Sequence, residues 1–254
     1  MINLAVDTSA REGSIALAVE GALLGPLGFG QTDSHLVAIG RSLESLLEGA
    51  GKRIEEIDRI ALVSGPGSFT GLRIGMAFVK GIQAALGTEL VTLSSLELLA
   101  LAGLSSRRRV CPMIDARRNE IYTALYELSG AAGGEATAPE GIDLLGRIRT
   151  VLPMQVVSPA AFLERFGREL GRGPTLFTGS GAACHREEIS ACLGNEAMFT
   201  AGPDNRPSAA LLARLAGALE PLSPDRVSTL EPLYLRPSDA SLKPLKDHRA
   251  HESH

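Results

Sequence analysis

The chain has 254 residues, 44% of them apolar and 21% charged, a balance that suits one large domain or two small ones with a buried core. A net charge of −4 leaves no basic footprint for autonomous, electrostatically driven nucleic-acid binding. Three cysteines without a CxxC pair argue against a disulfide framework, an aspartate already at position 7 against a signal peptide, and the lack of a long apolar run against a membrane span, so a cytoplasmic protein is expected.

Ile2–Val6 is a short apolar run ending at Asp7-Thr8-Ser9 and reads as a buried strand. Ser14–Val19 follows as its hairpin partner after the turn Arg11-Glu12-Gly13, and Ala22–Phe29 as a third strand. Leu36, Ile39, Leu43, Leu46 and Leu47 recur at helical spacing opposite Arg41, Glu44 and Glu48. The segment predicts an amphipathic helix with Ser34 as its cap and Gly49 or Gly51 as its stop. Arg59–Ser64 predicts the next strand, feeding the turn Gly65-Pro66-Gly67. A helix is expected from about Gly71 to Leu86, capped by Ser68 or Thr70, then a strand at Glu89–Leu93. Ser94-Ser-Leu-Glu97 has the spacing of a capping box and opens another helix.

Val110–Glu127 reads as two strands around the polar turn Asp115-Ala-Arg-Arg-Asn119, and residues 129–141, rich in Gly and Ala, as a loop. Strands are expected near Val151–Val157, Thr175–Thr178 and Ala197–Thr200, and helices at Pro159–Phe166, Ala182–Leu193 and Ser208–Leu219. The seam between two lobes falls near Leu104–Arg109, where Arg107–Arg109 form a short basic turn. This divides the chain into a first lobe, 1–104, and a second, 105–206, with a helix at about 207–220 as a candidate to pack back on the first. The tail 238–254 has no core pattern and is expected to be disordered, so its histidines make no metal site.

Leu4-Ala-Val-Asp-Thr-Ser9 with Ser14-Ile-Ala-Leu17, and Val63-Ser-Gly-Pro-Gly-Ser-Phe-Thr-Gly-Leu-Arg-Ile-Gly75, together resemble the TsaB (YeaZ) family, bacterial relatives of the threonylcarbamoyl-transferring subunit TsaD. Asp115-Ala-Arg-Arg-Asn-Glu-Ile-Tyr122 and Pro232-Leu-Tyr-Leu-Arg236 are similar to it as well, and the likeness runs to about Asp239, with Ser129–Thr150 weakly matched. The resemblance implies an α/β, two-lobed actin-like ATPase (ASKHA, ribonuclease H-like) fold with a mixed sheet in each lobe. It also implies a non-catalytic partner and activator of TsaD in forming N6-threonylcarbamoyladenosine beside the anticodon of tRNAs that read codons starting with A. In that system TsaD carries the active site, TsaE is an ATPase, and TsaC supplies the threonylcarbamoyl-adenylate. The chain would bind TsaD through its first lobe, meet TsaE in the complex, reach tRNA indirectly through that complex, and form a homodimer when alone. Two other readings stand beside this one: an autonomous ATP-dependent small-molecule kinase of the same superfamily, and a peptidase, as an old family label has it.

Asp7-Thr8-Ser9 occupies the place where an actin-like site wants an acidic residue at the end of its first strand, beside Gly-rich turns that donate N–H groups to phosphate. The following turn has one glycine and sets Glu12 where an anion would approach. The alternative is that Asp7, Thr8 and Ser9 hydrogen-bond their own turn. Gly65-Pro-Gly-Ser-Phe-Thr-Gly71 links strand to helix as a phosphate loop does. Yet no Gly-Lys-Ser/Thr follows, the glycines do not fall as GxGxxG, and Arg73 is the one nearby cation. Asp7, Thr8, Ser9, Gly65, Gly67, Ser68 and Arg73 therefore stand as candidate degenerate or shared nucleotide contacts. The chain itself requires no cofactor, and ATP or ADP is expected only at the interface with a partner. The alternative is a mechanical turn.

The catalytic relative holds its metal through a His-x-x-x-His pair on the first helix; here His35 is followed by Ile39. His185 has no partner at ligand spacing, HExxH and GxSxG are absent, and Ser180 reads as part of a strand-to-helix turn, so neither metal nor catalytic residues are expected. The helix over 71–86 is apolar round most of its circumference: Leu72, Met76, Val79 and Leu86 lie near one face, Ile74, Phe78, Ile82 and Ala85 on another. Such a helix is either central to the core or shares its second face with a partner. Gly71, Gly75 and Gly81 each cost about 1 kcal/mol against Ala in a helix interior, which points to close packing on its backbone. The expected partner interface comprises Leu36, Ile39, Gly40, Leu43, Leu72, Gly75, Met76, Phe78, Val79 and Ile82. The hairpin Asp115–Glu120 stays open between a solvated turn and a cleft or partner contact.

Overall fold

Strand β1 (Ile2–Asp7) is buried along its whole length because the chain covers it on both faces. β2 (Gly13–Val19) and β3 (Ala22–Phe29) extend the sheet antiparallel on one side of it. β4 (Arg59–Val63) and β5 (Glu89–Leu93) add in parallel on the other, giving the order β3-β2-β1-β4-β5. Helices α1 (His35–Ala50), α2 (Phe69–Leu86) and α3 (Ser95–Leu104) alternate with the later strands. The computed structural model describes residues 1–30, 35–104, 109–129, 145–169, 173–200 and 202–236. Ser34, residues 130–141 of the Gly/Ala-rich loop, the seam arginines Arg107 and Arg108, and the tail lie outside them.

A second sheet repeats the connectivity of the first. β6 (Arg109–Arg117), β7 (Glu120–Leu128) and β8 (Ile148–Val157) form an antiparallel meander, and β9 (Thr175–Thr178) and β10 (Ala197–Phe199) lie parallel on the far side of β6. The resulting order, β10-β9-β6-β7-β8, is that of the first sheet in sequence terms, and the pair forms the actin-like arrangement that the resemblance implied. α4 (Pro159–Glu169) precedes β9. The single helix expected over Ala182–Leu193 is two, α5 (Ser180–Cys184) and α6 (Arg186–Leu193), separated by His185 at φ −107° and ψ 23°. The last elements among the described residues are α7 (Ala209–Leu215), one 3-10 turn at Ala216–Ala218, and α8 (Pro224–Ser228). No described helix is long and apolar enough to cross a membrane.

The two faces of the first sheet differ in residue size, and this decides what packs on each. Leu4, Leu17, Ile60 and Leu62 receive Ile39, Leu43 and Leu46 of α1 and Met76 and Val79 of α2. The other face is Ala5, Ala16, Ala18 and Ala61, and α7 lays Ala209, Leu212 and Ala213 near it. Small side chains on both sides allow α7 a close approach. Its position is then fixed by polar contacts. Arg59 Nη1 donates to Ala216 O at 2.7 Å and Leu219 O at 3.2 Å, Arg59 Nε donates to Glu89 at 2.8 Å, and Ala209 N donates to Ser14 Oγ at 3.2 Å.

α3 is buried nearly all round, as its unbroken apolar run requires. Leu98, Leu101 and Leu104 share one core with Val63 and Val91 of the first sheet and Val110, Ala124 and Tyr126 of the second. The capping box that starts it is present: Ser94 Oγ donates to Glu97 at 2.6 Å and accepts from Glu97 N at 3.0 Å. A separate core under the outer face of the second sheet stacks Phe162, Phe166 and Phe177 with centroids 5.5 and 5.7 Å apart.

Candidate partner-binding site

At the end of β1 the Asp7 carboxylate turns back on its own loop, accepting from Ser9 N at 2.8 Å and Ser9 Oγ at 2.7 Å. Burial pushes the Asp7 carboxyl above the ordinary carboxylate range, and the two Ser9 donors draw it partly back. The loop lies on the Gly-Pro-Gly-Ser-Phe-Thr-Gly stretch, with Ser68 N donating to Ser9 O at 2.7 Å. Ser68 is also the cap of α2, its Oγ accepting from Gly71 N at 3.2 Å. A Cβ on Gly67 would overlap Ser9 O, one on Gly71 would overlap Thr8 O, and one on Gly75 would overlap Thr8 Oγ1. These glycines fall four residues apart, so they line one side of the turn and helix and let the β1 loop sit against the backbone. Thr8 Oγ1 is buried there without a hydrogen-bond partner.

The rest of the turn is held from the other side. Gly65 takes φ +112°, the Gly65–Pro66 bond is cis, Ser95 Oγ donates to Pro66 O at 2.5 Å, and Leu233 N donates to Ser64 O at 2.7 Å. Glu12, in the neighbouring turn, pairs with Arg206. Arg73, grouped with Asp7 and the glycines by sequence, points elsewhere: its guanidinium lies 3.9 Å from the Phe69 ring centroid and its Nε donates to Tyr234 Oη at 3.0 Å.

The partner face expected from α1 and α2 divides in two. Ile39, Leu43, Leu72, Gly75, Met76 and Val79 are buried within the chain's own fold, and for these six the expectation is corrected. They stand on the inner sides of their helices, against the first sheet and the β1 loop. Leu36, 52% exposed, with half-buried Gly40, Phe78 and Ile82, faces outward. Val37 at 49% and Phe69 at 36% join them, as does a row that the expected interface left out: Ala77, Gly81 and Ala85, all exposed. Its signal was legible, since small residues at 77, 81 and 85 repeat the spacing of 67, 71 and 75 on the opposite side of the helix. α2 therefore carries two small-residue rows, one filled from within and one open.

The C-terminal segment crosses the first turn of α2 and continues to the second sheet. Tyr234 packs on Phe69 with centroids 5.1 Å apart, and Arg236 Nη1 donates to Glu120 at 2.7 Å. Glu120 begins β7, beyond the hairpin turn whose Arg117, Arg118 and Asn119 take φ of 61°, 55° and 59°. Asp115 Oδ1 accepts from Arg117 N at 2.8 Å, and Ser180 Oγ accepts from Asp115 N at 3.1 Å, so Ser180 serves as a turn-holding hydroxyl. Among the described residues no three His, Cys, Asp or Glu side chains converge as a metal site.

A family model described as "TsaD: tRNA N6-adenosine threonylcarbamoyltransferase" matches residues 31–241. The chain is 30% identical over 243 residues to a Bacillus subtilis protein named "tRNA threonylcarbamoyladenosine biosynthesis protein TsaB", covering 96% of this chain and 97% of that one. It is 28% identical over 239 residues to a Haemophilus influenzae protein of the same name, covering 92% of each. Among solved structures, YeaZ from Pseudomonas aeruginosa superimposes with a TM-score of 0.71 at 28% identity, over 92% of this chain and 99% of that one.

Proposed function

This chain belongs to the TsaB family of tRNA threonylcarbamoyladenosine biosynthesis proteins, and we propose that it acts there as the non-catalytic subunit that docks and activates a TsaD-type threonylcarbamoyltransferase. The observation that carries the reading is the open face of α1 and α2. Leu36 and Val37 of α1 and Phe69 of α2 are exposed, and α2 carries the exposed small-residue row Ala77-Gly81-Ala85. Full burial of a Val, Leu or Phe side chain contributes about 1.5–3 kcal/mol, and small residues between such anchors admit a partner helix close to the α2 backbone. A second copy of the chain fits the same face when the catalytic partner is absent. In the working assembly a TsaE-type ATPase and tRNA join the complex, and any ATP or ADP is held at the subunit interface.

The support against a nucleotide site of this chain's own is that Asp7, Thr8 and Ser9 are engaged by one another and by the glycine row. The test is co-purification of the full chain with the TsaD-type subunit of its own source, followed by reconstituted tRNA modification with and without this chain. Ala77→Arg, on the exposed row, is expected to weaken partner binding by about tenfold or more while leaving the melting temperature unchanged. Full modification activity in the absence of the chain, or wild-type affinity in the Ala77→Arg variant, would sink the reading.

A further inference from the structure

A groove of about 840 Å³ runs beside α7, on the side of the first sheet away from α1 and α2, a volume typical of small-molecule sites. β3, at the edge of the sheet, forms its floor, and α3 and α7 wall it through Leu98 and Leu211. The chain leaves room there that its own backbone could fill. A Cβ on Gly28 of β3 would meet nothing nearer than Gly13 O at 4.0 Å, and one on Gly30 would meet nothing within 4 Å. Neither glycine has a positive φ, so neither is required by its backbone. Glycine weakens a strand and marks places where another backbone or a ligand comes close. Beyond its ladder partner β2, no described backbone comes within 4 Å of a Cβ at Gly28.

The charged side chains that line the groove are Glu12, Arg206 and Arg214. Glu12 and Arg206 pair with each other. Arg214 is exposed and has no ion pair among the described residues, so one positive charge is left over. Two hydroxyls line the groove as well. Ser14 Oγ accepts from Ala209 N at 3.2 Å and keeps its own proton to donate, and Ser208 Oγ makes no cap bond to α7. Independently of the functional reading above, we propose that this groove binds a small amphipathic carboxylate. Its aliphatic or aromatic body lies on Leu23, Leu98 and Leu211, and its carboxylate meets Arg214, whose planar fork of N–H donors matches that group. A cation would be repelled by Arg214, and a wholly apolar ligand would strip water from the guanidinium without replacing it. A phosphate dianion would exceed the single surplus charge in a groove that also holds Glu12.

The test is calorimetric titration of the full chain with sodium decanoate and, as its uncharged counterpart, 1-decanol. Wild type is expected to take up one decanoate saturably and to bind decanol about tenfold more weakly or worse. Gly28→Leu puts a side chain where the backbone has room, and is expected to abolish decanoate binding without lowering the melting temperature. Arg214→Gln, an exposed substitution that leaves the fold intact, is expected to weaken decanoate binding about tenfold and to leave decanol binding unchanged. No saturable uptake by wild type, uptake that either variant leaves intact, or equal binding of decanoate and decanol would overturn the proposal. None of these outcomes involves the open face of α1 and α2, so the functional reading stands or falls separately, on co-purification and reconstituted tRNA modification.

Discussion

Thr8 and Gly75 share a single space: the hydroxyl that ends the β1 loop rests where a side chain on α2 would begin. Thr8 Oγ1 is without a hydrogen-bond partner, so its place there is steric and not polar. Gly75→Ala should therefore destabilise the fold by about 2 kcal/mol through overpacking, despite the better helix propensity of alanine. In a Thr8→Ala background the same change should cost at least about 1 kcal/mol less. Denaturant titrations of the four proteins in that cycle measure the coupling, and additive effects would show that the two residues do not contend for the same volume.

Asp7 sets a pH dependence whose sign follows from burial. Its carboxyl is raised in the folded protein, chiefly because the charged form loses its water, with the Ser9 bonds opposing. The folded state then holds the proton more tightly than the unfolded chain does. The resulting cost is absent below about pH 4, builds as pH rises toward the folded value, and persists above it. Asp7→Asn keeps an oxygen for the Ser9 donors and removes the charge. Its melting temperature relative to wild type should be more favourable at pH 8 than at pH 4, and a pH-independent difference would contradict this account.

Arg59 is the polar pin of the C-terminal region. Its side chain is 9% exposed, donates to two carbonyls after α7, and meets Glu89, which is 53% exposed. Arg59→Leu removes the guanidinium donor from both carbonyls, Ala216 O keeping its bond from Leu219 N, at a cost of about 2 kcal/mol, most of it from these lost bonds and not from the half-solvated ion pair. Thermal melting of Arg59→Leu beside Glu89→Gln separates the two contributions: the glutamine variant should lose less than half as much.

Much of this architecture was legible because local signals were strong. Short apolar runs bounded by turn residues marked the strands, Ser68 or Thr70 and the Ser94–Glu97 pair marked two helix starts, and the glycines of α2 announced close packing on it. Which way α2 faced was not legible. With both sides apolar it has no polar stripe to orient it, and the deciding contact is made by the β1 loop, far upstream in sequence. For that reason Met76 and Val79 were grouped with Phe78 and Ile82 although they point inward. The Pro232–Arg236 segment was recognisable as a motif but not as a strap, since Leu233 to Ser64 and Arg236 to Glu120 are contacts that no periodicity encodes. The backbone of Arg117 and Arg118 was equally silent, arginine being an uncommon residue for that conformation.

The course of residues 209–236 has a consequence for how the molecule is made. Ser64 and Leu90 in the first sheet receive their hydrogen bonds from Leu233 and Leu222, and the alanine face of that sheet waits for α7. Translation delivers the first sheet early and its cover last. A nascent chain that stalls before Ala209 has the alanine face of its first sheet bare, a state prone to aggregate. Arrival of α7 and of the Leu222 and Leu233 hydrogen bonds is thus the step that completes the first sheet.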